Sequence, residues 1–156
     1  VTDHKPPRLA AGDQATLRAL LQFQRDSFAR KVAGVNDLAA VGSPVTSGTS
    51  LLWLTNHMAD AEATWILGRF ARRADVDGAG PPATSIDAAV TRYQRVWCDV
   101  DAALDRAVSL DVECAAFDDE PVINLRWILA HLLEETARHA GHADILRELI
   151  DGQTGR

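Results

Sequence analysis

Apolar residues recur along this chain at spacings of three, four and seven, the signature of helices that bury one face against a core. Between about Asp13 and Ala33 the stripe is Leu17, Leu20, Leu21, Phe28 and Val32, with Asp13 as the expected N-cap and Gly34 as the stop. A connector from Val35 to Thr49 follows, punctuated by Gly42, Pro44 and Gly48, with a helical turn expected at Asp37–Val41. The second long helix should run from about Ser50 to Ala71, capped by Thr49 or Ser50. It is apolar almost all the way round, as suits a helix packed on several sides. A surface loop over Arg72–Thr84, with Asp75, Asp77, Gly78 and Gly80, leads to a third helix over roughly Ile86–Leu110. Its expected buried stripe is Val90, Tyr93, Trp97, Val100 and Leu104. After a second loop ending at Pro121, Asn124 reads as the N-cap of the longest helix, which reaches about Ile150 and closes at Gly152. No strand-like alternation with hairpin turns and no internal repeat interrupts the pattern.

Four long helices on longish connections predict an all-α protein, a four-helix bundle. Residues 1–12, with Pro6 and Pro7, form a loose arm, and 13–156 form a single domain. A chain of 156 residues is long enough for one self-supporting core. Hydrophobic residues at 47% and charged residues at 24% place it among soluble globular proteins. The 16 Lys+Arg against 22 Asp+Glu give a net charge of −6, so no basic excess points to nucleic acid. No apolar run approaches the ~18 residues of a membrane span. Val1–Gly12 lacks the apolar stretch of a signal peptide, and a cytoplasmic location is the expectation. Cys98 and Cys114 are too few for a disulfide scaffold or a cysteine-rich zinc site and are expected as two buried free thiols. The apolar circumference of the second helix allows a homodimer.

The candidate chemistry is concentrated in the histidines. His4 lies in the arm, whereas His131, His139 and His142 share the last helix with Glu134 and Glu135. At about 100° per residue, His139 falls within roughly 30° of the centre of the apolar face formed by Leu125, Ile128, Leu132, Ala143, Leu146 and Ile150. Glu135 and His142 flank that centre, His131 lies nearer the edge, and Glu134 and Arg138 face solvent. Ionisable groups on a core-facing stripe are costly unless they are paired or bind a cation. Glu135 and His139, at i and i+4, converge on one patch of helix surface. His131 stands about 12 Å along the axis from His139, too far to share an ion with it comfortably. Bundle sites draw ligands from facing helices, and His57 is the remaining histidine in a long helix. His57, Glu135 and His139 are therefore the candidate two-histidine, one-carboxylate metal site. A plain ion pair for Glu135 and His139, and a core histidine bonded to a carbonyl for His57, are the competing readings.

The run Leu51-Leu52-Trp53-Leu54-Thr55-Asn56-His57-Met58-Ala59-Asp60-Ala61-Glu62 resembles the second-helix signature of the DinB-like superfamily. The run from Leu125 to Glu148, with His131-Leu132-Leu133-Glu134-Glu135-Thr136-Ala137-Arg138-His139-Ala140-Gly141-His142 at its centre, resembles the last-helix signature. The connector Val45-Thr46-Ser47-Gly48-Thr49-Ser50 and Phe23-Gln24-Arg25 in the first helix fit an actinobacterial branch. The resemblance implies a DinB-like four-helix bundle holding a divalent metal through His57, Glu135 and His139. Many relatives carry histidine at the place of Glu135; glutamate there resembles members that use mycothiol, a low-molecular-weight thiol. Members with an assigned activity are mycothiol or bacillithiol S-transferases and a mycothiol-dependent maleylpyruvate isomerase.

The implied activity is a metal-dependent S-transferase in which mycothiol, activated as metal-bound thiolate, attacks an electrophilic small molecule. Two histidines and a carboxylate leave a coordination position open, as catalytic zinc sites do. Zinc is the expected metal; nickel, manganese and iron suit the same ligands. His142, one turn from His139, is assigned a catalytic role in orienting a ligand or relaying a proton, and His131 is a weaker candidate for the same. Trp53, Trp65 and Trp97 are candidates to line a substrate pocket. A hydrolase or isomerase of the same fold and a non-catalytic metal-binding stress protein are the alternatives.

Overall fold

The helices begin where side chains satisfy backbone N–H groups that the first turn leaves unpaired. Four starts carry such a cap. Asn36 accepts from the N–H of Ala39 (2.9 Å) at α2, Asp37–Val41. Ser50 accepts from Trp53 (3.2 Å) at α3, Leu51–Glu62, and Ser85 from Ala88 (3.3 Å) at α4, Ile86–Leu104. Asn124 accepts from Trp127 (3.0 Å) at α5, Leu125–Asp151. The first helix, α1 over Asp13–Val32, differs from expectation. Its N-cap is Gly12, with no side-chain bond, and Asp13 is the first helical residue. There its carboxylate favours the helix dipole and accepts from Arg126 (2.7 Å) instead of capping. Gly152, at φ 73°, closes α5 in the left-handed conformation that glycine adopts without strain.

The computed structural model describes residues 4–74, 78–116 and 120–154. The start of the expected arm (1–3), the loop positions at 75–77 with Asp75 and Asp77, positions 117–119 and the domain end (155–156) lie outside them. The described residues form no strand, only an isolated bridge between Glu113 and Asn124. The all-α expectation holds, and each long predicted segment is helical, with α2 as an additional short helix. The second long segment continues from α3 without a break into a π-helix, Ala63–Phe70, a wider winding that periodicity does not distinguish from α.

The third helix is shorter than expected and stops at Leu104 rather than Leu110. Beyond it the backbone pairs with the approach to α5. Cys114 donates to Ile123 (2.9 Å), Leu125 to Val112 (3.0 Å) and Arg126 to Leu110 (2.9 Å). Leu110 is buried from this connector, which explains its apolar character without a helix. On α4 the innermost side chains are Ile86, Ala89, Tyr93, Val96, Val100, Ala103 and Leu104; Val90 and Trp97 of the expected stripe are only partly buried.

Helix α1 packs chiefly along α5, and α3 along α4, while α3 also meets α5. A buried ionic group ties these pairs together. Arg25 on α1 makes two bonds to Glu62 at the end of α3, Nε to Oε1 at 3.0 Å and Nη2 to Oε2 at 2.5 Å. Tyr93 on α4 donates to the same carboxylate (2.8 Å), and Arg25 also reaches Asp101 of α4 (3.1 Å). Burial opposes the charge on Arg25, but Glu62 outweighs it and holds the guanidinium above its ordinary value. Burial, then the Glu62 carboxylate, pushes the Tyr93 phenol well above its ordinary 10.0.

Removing Glu62 would leave the buried Arg25 with only the half-exposed Asp101 and Gln22, and Tyr93 without its acceptor. Glu62→Leu should therefore cost about 3–5 kcal/mol in urea denaturation; a loss below about 1 kcal/mol, the scale of an exposed pair, would contradict this account. Tyr93 is the protein's single tyrosine, so its ionisation is directly visible. The stability it contributes is full below its unfolded value near pH 10 and is lost as pH rises toward the higher folded value. Phenolate absorbance should appear only well above pH 10 and together with unfolding.

Candidate metal centre

The sequence Asn56-His57-Met58-Ala59-Asp60 distributes its polar groups over two sides of α3. Asn56 and Asp60 hold the loop before α4: Asn56 exchanges bonds with Ala83 (2.8 and 2.9 Å), and Asp60 accepts from Ala79 (2.9 Å). Arg92 of α4 binds Asp60 (2.5 Å), the Asn56 carbonyl (3.1 Å) and the Gly80 carbonyl (2.6 Å). These contacts fix the rotation of α3 and present His57 to α5. Helix α5 is fixed against α1 by the Lys31–Asp144 ion pair and by Arg147. Arg147 donates to the carbonyls of Lys31 (2.9 Å) and Ala33 (2.7 Å) at the C-terminal end of α1.

Between these two helices the candidate side chains converge. Nε2 of His57 lies 3.1 Å from Oε1 of Glu135, and Nε2 of His139 lies 3.0 Å from the same oxygen. One donor atom from each of the three residues falls within 4.8 Å of the others, a grouping able to hold a metal ion. Two imidazole nitrogens directed at one carboxylate oxygen exceed what a single i, i+4 pair explains, because His57 comes from another helix. The side chains are sheltered yet reachable, 33% exposed for His57, 19% for Glu135 and 12% for His139.

Electrostatics favours the protonation states a cation requires. Burial pushes the Glu135 carboxyl up, but the His57 hydrogen bond and the neighbouring His139 outweigh it, so its pKa lies below the ordinary 4.5. For His139 burial dominates; against the pull of Glu135, and helped by His57 and His142, it holds the imidazole below its ordinary 6.5. At neutral pH the site therefore carries an ionised carboxylate and a neutral His139.

The surroundings sort the other candidates. His142 is exposed, and its Nδ1 lies 3.2 Å from Nδ1 of His139. His131 stays outside the cluster, stacked on Trp127 (centroids 4.9 Å) and edge-on to Trp65 (4.9 Å). Glu134 pairs with Arg138 on the outer face (2.7 Å). Of the three tryptophans expected near substrate, Trp53 reaches the cluster: its ring lies parallel to His57 at 5.0 Å. Trp97 packs on Tyr93 and lies under Arg25. The Trp53–His57 stack, a turn apart on α3, is a contact that i, i+4 spacing signals.

A family model described as Mycothiol-S-transferase matches residues 16–152, a span containing nearly all of α1, the later helices and the whole cluster. The chain belongs to the mycothiol S-transferase family. No curated protein and no solved structure matches it. Membership in the mycothiol S-transferase family implies a thiol partner and a transferase activity. No helix among the described residues is long and apolar enough to cross a membrane.

Neither cysteine supplies a donor to the cluster. The expectation of two buried thiols is corrected for Cys98, which is exposed on the outer side of α4, while Cys114 is buried and its thiol is pushed up by that burial. A thiol reagent should modify Cys98 rapidly in the folded protein and Cys114 only on unfolding. Equal native rates, followed by peptide mapping, would contradict this placement.

Proposed function

We propose that His57, Glu135 and His139 hold one divalent cation and that the protein activates mycothiol there for transfer to an electrophilic small molecule. The convergence of both Nε2 atoms on one carboxylate oxygen carries the reading. The donor set fits such an ion: two imidazoles and one carboxylate are a catalytic zinc set, with a coordination position left for a further ligand. Zinc is the preferred occupant, and nickel, manganese and iron(II) accept the same donors. When bound, the cation supplies the Lewis acidity that favours thiolate over thiol.

The chain's own groups do the rest. Glu135 brings the negative charge that balances part of the ion's. Trp53 restrains the His57 ring by stacking. With Nε2 of His139 given to the ion, its proton resides on Nδ1 and is donated to Nδ1 of His142, which fixes tautomer and ring orientation. The thiol loses its proton, the sulfur lone pair forms the new carbon–sulfur bond, and the leaving group departs with its bonding electrons. For an activated alkene the proton returns to carbon instead. His142, exposed and anchored through Nδ1, is placed to exchange that proton with solvent. The reaction is expected in the cytoplasm.

Metal analysis of purified protein should find one equivalent in the wild type and none in His57→Ala or Glu135→Ala. Retention of metal by both variants would reject the ligand assignment. His142→Ala should keep the site but weaken metal affinity by about 10–100-fold, the usual effect of losing a group that orients a ligand. Among mycothiol, bacillithiol and glutathione, mycothiol should support turnover. Equal rates with all three would reject the thiol assignment, and turnover without any thiol would favour a hydrolase.

A further inference from the structure

Beside the cluster, and sharing His142 with it, a pocket of about 260 Å³ opens between α5 and the connector before α3. Val45, Ser47 and Thr49 form one wall, and His142, Ile145 and Leu146 the other. We propose that this pocket is the subsite for the electrophilic substrate and that it selects small, uncharged, apolar molecules about the size of one substituted aromatic ring. The proposal rests on the transferase reading above and adds the class of its second substrate.

Size is the first argument. A dry cavity of about 150 Å³ accepts benzene, so 260 Å³ accommodates a ring with its substituents. The chemistry of the walls is the second. Three of the six lining residues are aliphatic, and no Asp, Glu, Lys or Arg is among them, so a charged ligand would lose hydration without gaining a partner of fixed opposite charge. The two hydroxyls are turned on each other, Ser47 Oγ lying 3.0 Å from Thr49 Oγ1. That contact occupies part of their hydrogen-bonding capacity.

Pre-organisation is the third. Ser43 Oγ lies within hydrogen-bond reach of the carbonyls of both Val45 (2.9 Å) and Thr49 (2.8 Å). Gly48, at φ 79°, turns the segment so that its N–H donates to Val45 (3.2 Å). The wall is therefore a closed loop rather than a loose strand of chain. Continuity with the cluster is the fourth argument. His142 lines the pocket and bonds to His139, while Ile145 lies about 9 Å along the axis from His139. A ring seated here would share His142 with the cluster, one side chain away from His139.

The test uses 1,3-dinitrobenzene, an apolar ring without a leaving group, and 3,5-dinitrobenzoate, its charged counterpart. Each is titrated into the whole protein while the methyl resonances of Val45, Ile145, Leu146 and, as a control, Leu21 are followed by NMR. The neutral compound should shift the methyls of the three pocket residues saturably and leave Leu21 unmoved, with the carboxylate binding at least about tenfold more weakly. Ile145→Trp, at an exposed position that tolerates a larger side chain, and Val45→Phe should each weaken binding about tenfold or more by filling the space. Both should raise KM for an aromatic electrophile without altering metal content or KM for mycothiol. Absence of saturable shifts, equal binding of the carboxylate, or indifference to both variants would overturn the proposal. Failure of the transferase reading looks different: the neutral ring still binds the pocket and both variants still block it, but no thiol-dependent turnover occurs. That outcome would overturn the role as electrophile subsite as well.

Discussion

Oε1 of Glu135 stands at hydrogen-bond distance from two imidazoles that reach it from different helices. Holding that arrangement requires α3 and α5 to keep both their spacing and their rotation, because one residue's turn swings a side chain through about 100°. The buried polar contacts of the protein serve that requirement. Asn56, Asp60 and Arg92 lock α3 to the following loop and to α4, and Arg147 with Lys31 locks α5 to the end of α1. Arg25, Glu62 and Tyr93 then join α1, α3 and α4 around a single carboxylate. The apolar core alone would tolerate small slippages of helix on helix; directional bonds to buried groups do not.

The cluster balances burial against pairing. A partly buried carboxylate beside two imidazoles loses solvation, and the interactions with His57 and His139 more than offset that loss. Both groups are displaced downward, Glu135 by its imidazole neighbours and His139 by burial, which leaves an ionised acid and a neutral base in contact at neutral pH. Both shifts disfavour protonation, so such a site suits a cation better than protons. His142 extends the arrangement outward and connects it to the apolar pocket formed with the connector.

Much of this was legible in the residues. The caps Ser50 and Asn124 and the stop at Gly152 lie where turn chemistry puts them, and Glu135 with His139 follows from i, i+4 spacing on a core-facing stripe. His57 was within reach because it is the one histidine that lies in a long helix other than the last. What escaped depends on tertiary structure. Leu110 looks like one more helical apolar position, yet it is buried from a connector whose backbone bonds to the start of α5. The π-helix carries the same residue types as an α-helix and differs in winding alone. Cys98, small and apolar, gave no sign that its face of α4 would be outermost. Glu62 in an apolar helix signals a buried partner, but only the packing of α1 identifies Arg25.

The most direct test is crystallographic: anomalous scattering from the protein prepared with zinc, recorded on both sides of the absorption edge. The account predicts one peak about 2.0–2.2 Å from Nε2 of His57, Nε2 of His139 and a carboxylate oxygen of Glu135. A peak elsewhere, or one bound by Glu135 and His139 with the His57 ring turned away, would contradict it.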